Sequence, residues 1–189
     1  MTVQLVPAYQ LPQEVRQLFS EYTEMLLQGD PAFREYLTVQ NYEDELEHPE
    51  KKYGLPGGRL YLCYAFSEDT GRPEKDGNRG ITKRHGLPEK GKNSGGNLAG
   101  CIGLKKLDEA GCEMKRLYVR PCFRGQGIGD ILIRQIIKDA KEIGYRHMLL
   151  DTLPFLQSAI HMYRKYGFYE IESYNDSPMD ASIYMRLDL

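Results

Sequence analysis

The chain predicts an α+β fold, a mixed and mostly antiparallel sheet with helices on both faces. Three observations predict it. Apolar residues recur at helical spacing at Val15, Leu18, Phe19, Tyr22 and Leu26, and again at Ile128, Leu132, Ile133, Ile136, Ile137, Ala140 and Ile143; each series gives one buried face. Short runs suited to strands lie at residues 59–66, 98–106, 112–119 and 146–152. A glycine-rich turn, Arg124-Gly125-Gln126-Gly127-Ile128-Gly129, joins the third of these runs to the second helix. The 189 residues suffice for one substantial core and would crowd two, so a single domain over 1–189 is expected.

The elements follow in order. Residues 2–6 alternate like an opening strand. Pro12 starts the first helix, Gly29 ends it, and Asp30-Pro31 has the form of an N-cap followed by proline at the first helical position. A second helical region, with room for a break, is expected from residue 32 to about 47; its acidic run Glu43-Asp44-Glu45-Leu46-Glu47 reads as a solvated face. Pro56-Gly57-Gly58 is a turn before the strand at 59–66. Between Gly71 and Asn97 stand seven glycines, with seven basic residues against three acidic ones. So few apolar side chains do not offset the entropy of ordering, and a mobile insertion at about 67–97 is expected between two antiparallel strands. Strands at 98–106 and 112–119 follow, with a turn at 108–111. After the glycine turn and its helix come the apolar strand at 146–152, a helix ending at Gly167, and two strands at 169–174 and 182–189 separated by Asn175-Asp176-Ser177-Pro178.

Composition excludes several classes. A formal charge of −2 and a pI near 6.1 give no global field for nucleic acid or an anionic membrane. No run of 18 apolar residues exists and residues 1–7 lack a secretory pattern, so a cytoplasmic protein with no membrane or nucleic-acid partner is expected. Cys63, Cys101, Cys112 and Cys122 form no C-x-x-C pair and have no histidine at ligand spacing, so no metal site is expected. The first three read as small buried hydrophobes; Cys122, beside the glycine turn, reads as a packing residue, with an accessible thiol as the alternative.

The glycine turn carries the chemistry. Glycines at alternate positions bare the backbone, and the first N–H groups of the following helix lack partners. With the positive end of the helix dipole they favour an anion such as a diphosphate. A nucleotide-hydrolase P-loop is excluded, because Gly129-Asp130 stands where lysine and a hydroxyl are required. A dinucleotide fingerprint needs G-x-G-x-x-G, whereas the spacing here is G-x-G-x-G. There remain a coenzyme A pyrophosphate loop and a structural turn that binds nothing.

Arg124, Gly127 and Gly129 meet the pattern Arg/Gln-x-x-Gly-x-Gly/Ala. Downstream, Ala159, Tyr163, Gly167 and Phe168 match Ala-x-x-Leu-Tyr-x-x-x-Gly-Phe, with Met162 in the leucine position. In these residues the chain resembles the GNAT superfamily of N-acetyltransferases, closely over 96–189 and weakly over the first 95. The resemblance implies a GNAT-like acyl-CoA N-acyltransferase fold, in which the parallel strands 112–119 and 147–152 splay apart to admit pantetheine. It implies acetyl-CoA as co-substrate and transfer of acetyl to a small-molecule or peptide amine. Arg124, Gly125, Gln126, Gly127, Ile128 and Gly129 would cradle the pyrophosphate. Leu117, Tyr118 and Val119 would hold the pantetheine and the thioester carbonyl. The first two helices would wall the substrate channel.

Tyr163 occupies the position from which family members protonate the coenzyme thiolate, and Glu113 the position where several carry a general base. Strand alternation sets Glu113, Lys115, Leu117 and Val119 on one face, with Met114, Arg116 and Tyr118 on the other. A second reading gives Glu113 an ion pair with Lys115, Arg116 or another cation. One departure stands out: Leu156 replaces the asparagine often found seven residues before the tyrosine. The alternative function is a non-catalytic acyl-CoA sensor. Many relatives pair through their last strands, which leaves a homodimer open.

Overall fold

The computed structural model describes residues 1–31, 33–39, 41–66, 95–175 and 181–189. Seven strands form one sheet in the order β1-β2-β3-β4-β5-β7-β6. They are β1 (Thr2–Pro7), β2 (Arg59–Phe66), β3 (Asn97–Lys106), β4 (Gly111–Val119), β5 (His147–Thr152), β6 (Tyr169–Ile171) and β7 (Ile183–Asp188). Every pairing is antiparallel except β4 with β5. Six α-helices accompany it among the described residues: α1 (Pro12–Gly29), α2 (Phe33–Val39), α3 (Tyr42–Glu47), α4 (Pro49–Tyr53), α5 (Ile128–Ile143) and α6 (Gln157–Lys165). None is long and apolar enough to cross a membrane among the described residues.

The apolar stripes place the helices. Ile128, Leu132, Ile133, Ile136 and Ala140 of α5 pack with Ala99, Ile102, Leu104, Cys112, Met114, Met148 and Leu150 on one side of the sheet. Val15, Leu18 and Phe19 of α1 pack with Leu60, Leu62, Tyr64 and Cys101 on the other. The expected fold is therefore the observed one. Differences are local. The region after Pro31 divides into three short helices, and α4, headed by Pro49, lies where no helix was expected. The strand expected over 169–174 stops at Ile171. The expected insertion at 67–97 and the turn at 176–178 lie outside the described residues, apart from residues 95–97, of which Asn97 opens β3. Cys63, Cys101 and Cys112 are buried as expected, while Cys122 is exposed rather than packed.

Two features of β4 make the site. Its parallel ladder with β5 holds only three pairs, Gly111 with His147, Cys112 with Met148 and Glu113 with Leu149. Both strands continue, and β5 stays paired to β7 as far as Thr152, so a gap opens between β4 and β5 at their carboxyl ends. The second feature is a bulge. Cys101 pairs with Tyr118, but Gly103 pairs with Lys115, so β4 carries one residue more than β3 across this step. Arg116 takes up the excess in a left-handed conformation, φ +56°, which is uncommon for a residue with a side chain.

The bulge overturns the expected alternation. Cys112 and Met114 pack on the α5 side, and beyond the bulge Leu117 and Val119 join them there. Arg116 and Tyr118 face α1 and α3. Leu117 and Val119 thus do not share a face with Glu113, because one extra residue resets a period of two.

Candidate active site

A groove of about 570 Å³ runs from the β4–β5 gap to the start of α5. The glycine turn forms one end. Gly125 and Gly127 have φ of +73° and +80°, with open space where a Cβ would project. Gly129 differs: a Cβ there would meet the Met162 Cε at 2.9 Å, so its bareness lets α6 approach α5. Gly127 caps α5 without a side-chain hydrogen bond, leaving the first N–H groups of a 16-residue helix directed at the groove's end. Arg124 braces the turn by donating from Nε to the Val119 carbonyl at 2.9 Å.

Asp130 sits in the first turn of α5, where its charge would oppose an anion. Its carboxylate instead accepts from Lys165 Nζ at 2.5 Å and from the Tyr166 hydroxyl at 2.9 Å. These bonds hold its carboxyl below the usual range.

Leu117, Tyr118, Val119, Arg124, Gly125, Gly127, Ile128 and Gly129 line this groove. Gln126 is the expected residue that does not; its amide donates to the Cys122 carbonyl at 3.1 Å. Phe155 lines the groove although no signal singled it out, and its ring lies where a Cβ on Gly29 would fall, so it bridges the end of α1 to the β5–α6 connection. Leu156 lines the groove and packs with Leu26, Phe33 and Leu153. The position of the usual asparagine is thus an apolar wall.

A second, smaller cavity of about 40 Å³ lies in the β4–β5 gap. Lys115, Arg116, Asp151, Thr152 and Ser182 are among its polar lining, and Leu26, Phe33 and Leu153 among its apolar lining. The two cavities share Tyr22, Leu117, Leu156 and Tyr163. Burial raises the phenols at this junction, Tyr22 to about 12 and Tyr163 well above its ordinary value; Asp151 adds to the rise at both, and Tyr22 to that at Tyr163. Both hydroxyls stay protonated through the physiological range and remain donors.

Glu113 does not line either cavity. It is 2% exposed. The Tyr174 hydroxyl donates to it at 2.7 Å, and Lys115 and Lys105 approach it at 3.2 and 3.5 Å. Lys115 also reaches Asp151 at 3.0 Å, so one ammonium bridges a carboxylate behind the wall and one on it.

Below the junction, the bulge is held by a buried clamp. Arg116 donates to Glu45 from Nε at 2.6 Å and from Nη2 at 2.8 Å. Its guanidinium lies 5.6 Å from the Phe19 ring centre and 5.3 Å from that of Tyr42. Glu45 also accepts from Lys52 at 2.6 Å and from Tyr53 at 2.7 Å. Burial disfavours its charge, but Arg116 and Lys52 prevail and hold its carboxyl at about 2. The Arg116 carbonyl, turned out of the ladder, accepts the Cys101 thiol at 3.2 Å. Glu45 is 1% exposed, which corrects the solvated reading at that residue, while Glu43 and Glu47 are exposed as expected. Its partner lies 71 residues away, and no local pattern pairs them.

The model of the acetyltransferase (GNAT) family matches residues 59–168. This chain belongs to the GNAT acetyltransferase family. An uncharacterised N-acetyltransferase of Schizosaccharomyces pombe is 32% identical over 97% of this chain and 94% of its own length. Another from Dictyostelium discoideum is 29% identical over the full length of both. Among solved structures, the PaiA N-acetyltransferase of Thermoplasma acidophilum, in complex with coenzyme A, superposes with a TM-score of 0.65 at 15% identity over 100% of both chains. A GNAT acetyltransferase of Staphylococcus aureus gives 0.64 at 19% over 99% of both. The protein is an acyltransferase of this family.

Proposed function

We propose that the protein transfers acetyl from acetyl-CoA to a primary amine by direct attack in a ternary complex. One observation carries the reading: a long groove ending at bare helix N–H groups meets a small polar cavity at Tyr163. The groove suits the coenzyme, with pyrophosphate at Gly125, Gly127 and Gly129 and pantetheine along the unpaired edge of β4. The Leu117 and Val119 backbone, re-aimed by the bulge, supplies donors to the thioester carbonyl. The acceptor enters the small cavity. Its nitrogen lone pair attacks the carbonyl carbon, the C–N bond forms, and the C–S bond breaks with its electron pair on sulfur.

Tyr163 donates a hydrogen bond to that sulfur. Its raised pKa sets a limit: a thiolate, with an ordinary pKa of about 8.5, does not keep a proton from so weak an acid unless another replaces it. The proton on sulfur is therefore the one released by the amine, passed through the phenol. Glu113, set behind the wall, takes no proton itself and holds the Lys115 ammonium in place, and the first amine proton leaves by water; a cavity of about 40 Å³ has room for it.

The test has two parts. Acetyl-CoA at about a hundred times its Kd adds about 2.7 kcal/mol of stability to a protein that binds it. Thiol release with an amine panel then reports transfer, and Tyr163→Phe lowers kcat while sparing coenzyme affinity. Absence of amine-dependent thiol release from a protein stabilised by acetyl-CoA would leave a sensor.

A further inference from the structure

Resting on that reading, we propose that the acceptor carries a carboxylate beside its amine, in the manner of an α-amino acid, and is not a polyamine. The cavity wall presents both signs of charge at short range: Lys115 Nζ and Asp151 Oδ1 lie 3.0 Å apart, and both residues line the cavity. Their side chains are 14% and 9% exposed. A zwitterion inserted here sets its ammonium against Asp151 and its carboxylate against Lys115, so each member of the pair keeps an opposite charge.

The surrounding charges argue the same way. Among the described residues, the linked groups behind and on this wall are the carboxylates Glu45, Glu113 and Asp151 and the cations Lys52, Lys105, Lys115 and Arg116. Each carboxylate already meets at least one cation. A polycation gains no uncompensated carboxylate, whereas a substrate carboxylate meets Lys115 at the cavity wall. Glu45, the N-terminal carboxylate linked to this wall, is neutralised by Arg116 and Lys52. Size agrees, since about 40 Å³ admits a compact head group and not an extended chain. Leu26, Phe33 and Leu153 flank the cavity and suit an apolar side chain on the acceptor.

The experiment compares three acceptor preparations with acetyl-CoA: a mixture of proteinogenic L-amino acids, the same mixture as α-amides, and spermidine. The expected result is thiol release with the acids at about tenfold or more the kcat/KM of the amides, one such ion pair being equivalent to about 1.4 kcal/mol, with spermidine slowest. Lys115→Met brings the acid-to-amide ratio to about one, and Lys115→Arg restores it above one. Amides or spermidine turning over as well as the acids overturns the proposal, as does an unchanged ratio in Lys115→Met. So does a wild-type protein that acetylates the amides or spermidine but no acid. Failure of the acetyltransferase reading has a different signature, no thiol release with any of the three preparations. A Lys115→Met chain that fails to fold leaves the wild-type comparison to decide.

Discussion

The two ends of the site are built from different materials. On the proposed reading the coenzyme end is backbone: Gly125 and Gly127 at positive φ, a helix start with no side-chain cap, and strand edges left open by the splay. The acceptor end is side chain: a left-handed Arg116 fixed by Glu45, and a lysine shared between Glu113 and Asp151. A backbone site tolerates any neighbour that stays small and fails when a side chain is added. A side-chain site fails when one partner is taken away, because the charge left behind remains buried.

The largest effect is expected at the acceptor end. Glu45→Ala strands the Arg116 guanidinium and should cost about 3–5 kcal/mol of stability by denaturant unfolding. The same clamp sets an acid limit. Glu45 titrates at about 2 when folded against an ordinary 4.5. Its depressed pKa stabilises the fold fully above 4.5 and progressively less as pH falls toward 2. Wild type should lose roughly 3 kcal/mol across that window, and Glu45→Gln should show a flatter profile there.

Gly127→Val tests the coenzyme end. A β-branched residue at φ +80° costs about 1–2 kcal/mol of strain, and its side chain enters the groove and not the core. Acetyl-CoA should then give none of the roughly 2.7 kcal/mol stabilisation expected for wild type, while the chain still folds. Retained coenzyme binding would mean that the turn is structural.

These two outcomes bear on what could be read in advance. The backbone end was legible because its signals are local. The glycines, the α5 stripe and the apolar β5 run each reveal themselves within a few residues, and eight of the nine expected groove residues line it. Gln126 does not, because its amide closes the turn onto Cys122. The acceptor end was not legible. Glu45 looks solvated inside an acidic run and is paired to a residue 71 positions on. Strand periodicity cannot announce an extra residue, so Leu117 and Val119 were assigned to the wrong face. Asp151, at the end of an apolar strand, and Tyr22, within the α1 stripe, read as ordinary members of their elements. A carboxylate at the terminus of a buried strand was the signal available for Asp151.

Tyr163→Phe comes next, at the meeting of the two ends. Loss of one donor to the departing sulfur should lower kcat by about tenfold to a hundredfold with acetyl-CoA affinity held. The smallest effect belongs to Cys101→Ala, which removes the thiol donated to the Arg116 carbonyl. About 1 kcal/mol of stability should go, and kcat should fall more than coenzyme affinity if that contact keeps the bulge in register.

The clamp between Arg116 and Glu45 also constrains heredity. Either residue changed alone passes through a costly intermediate, so the two positions should drift together or not at all. A lineage could rewrite the acceptor it recognises by altering exposed neighbours, yet the joint between its early helices and the reactive strand would have to be inherited as a unit.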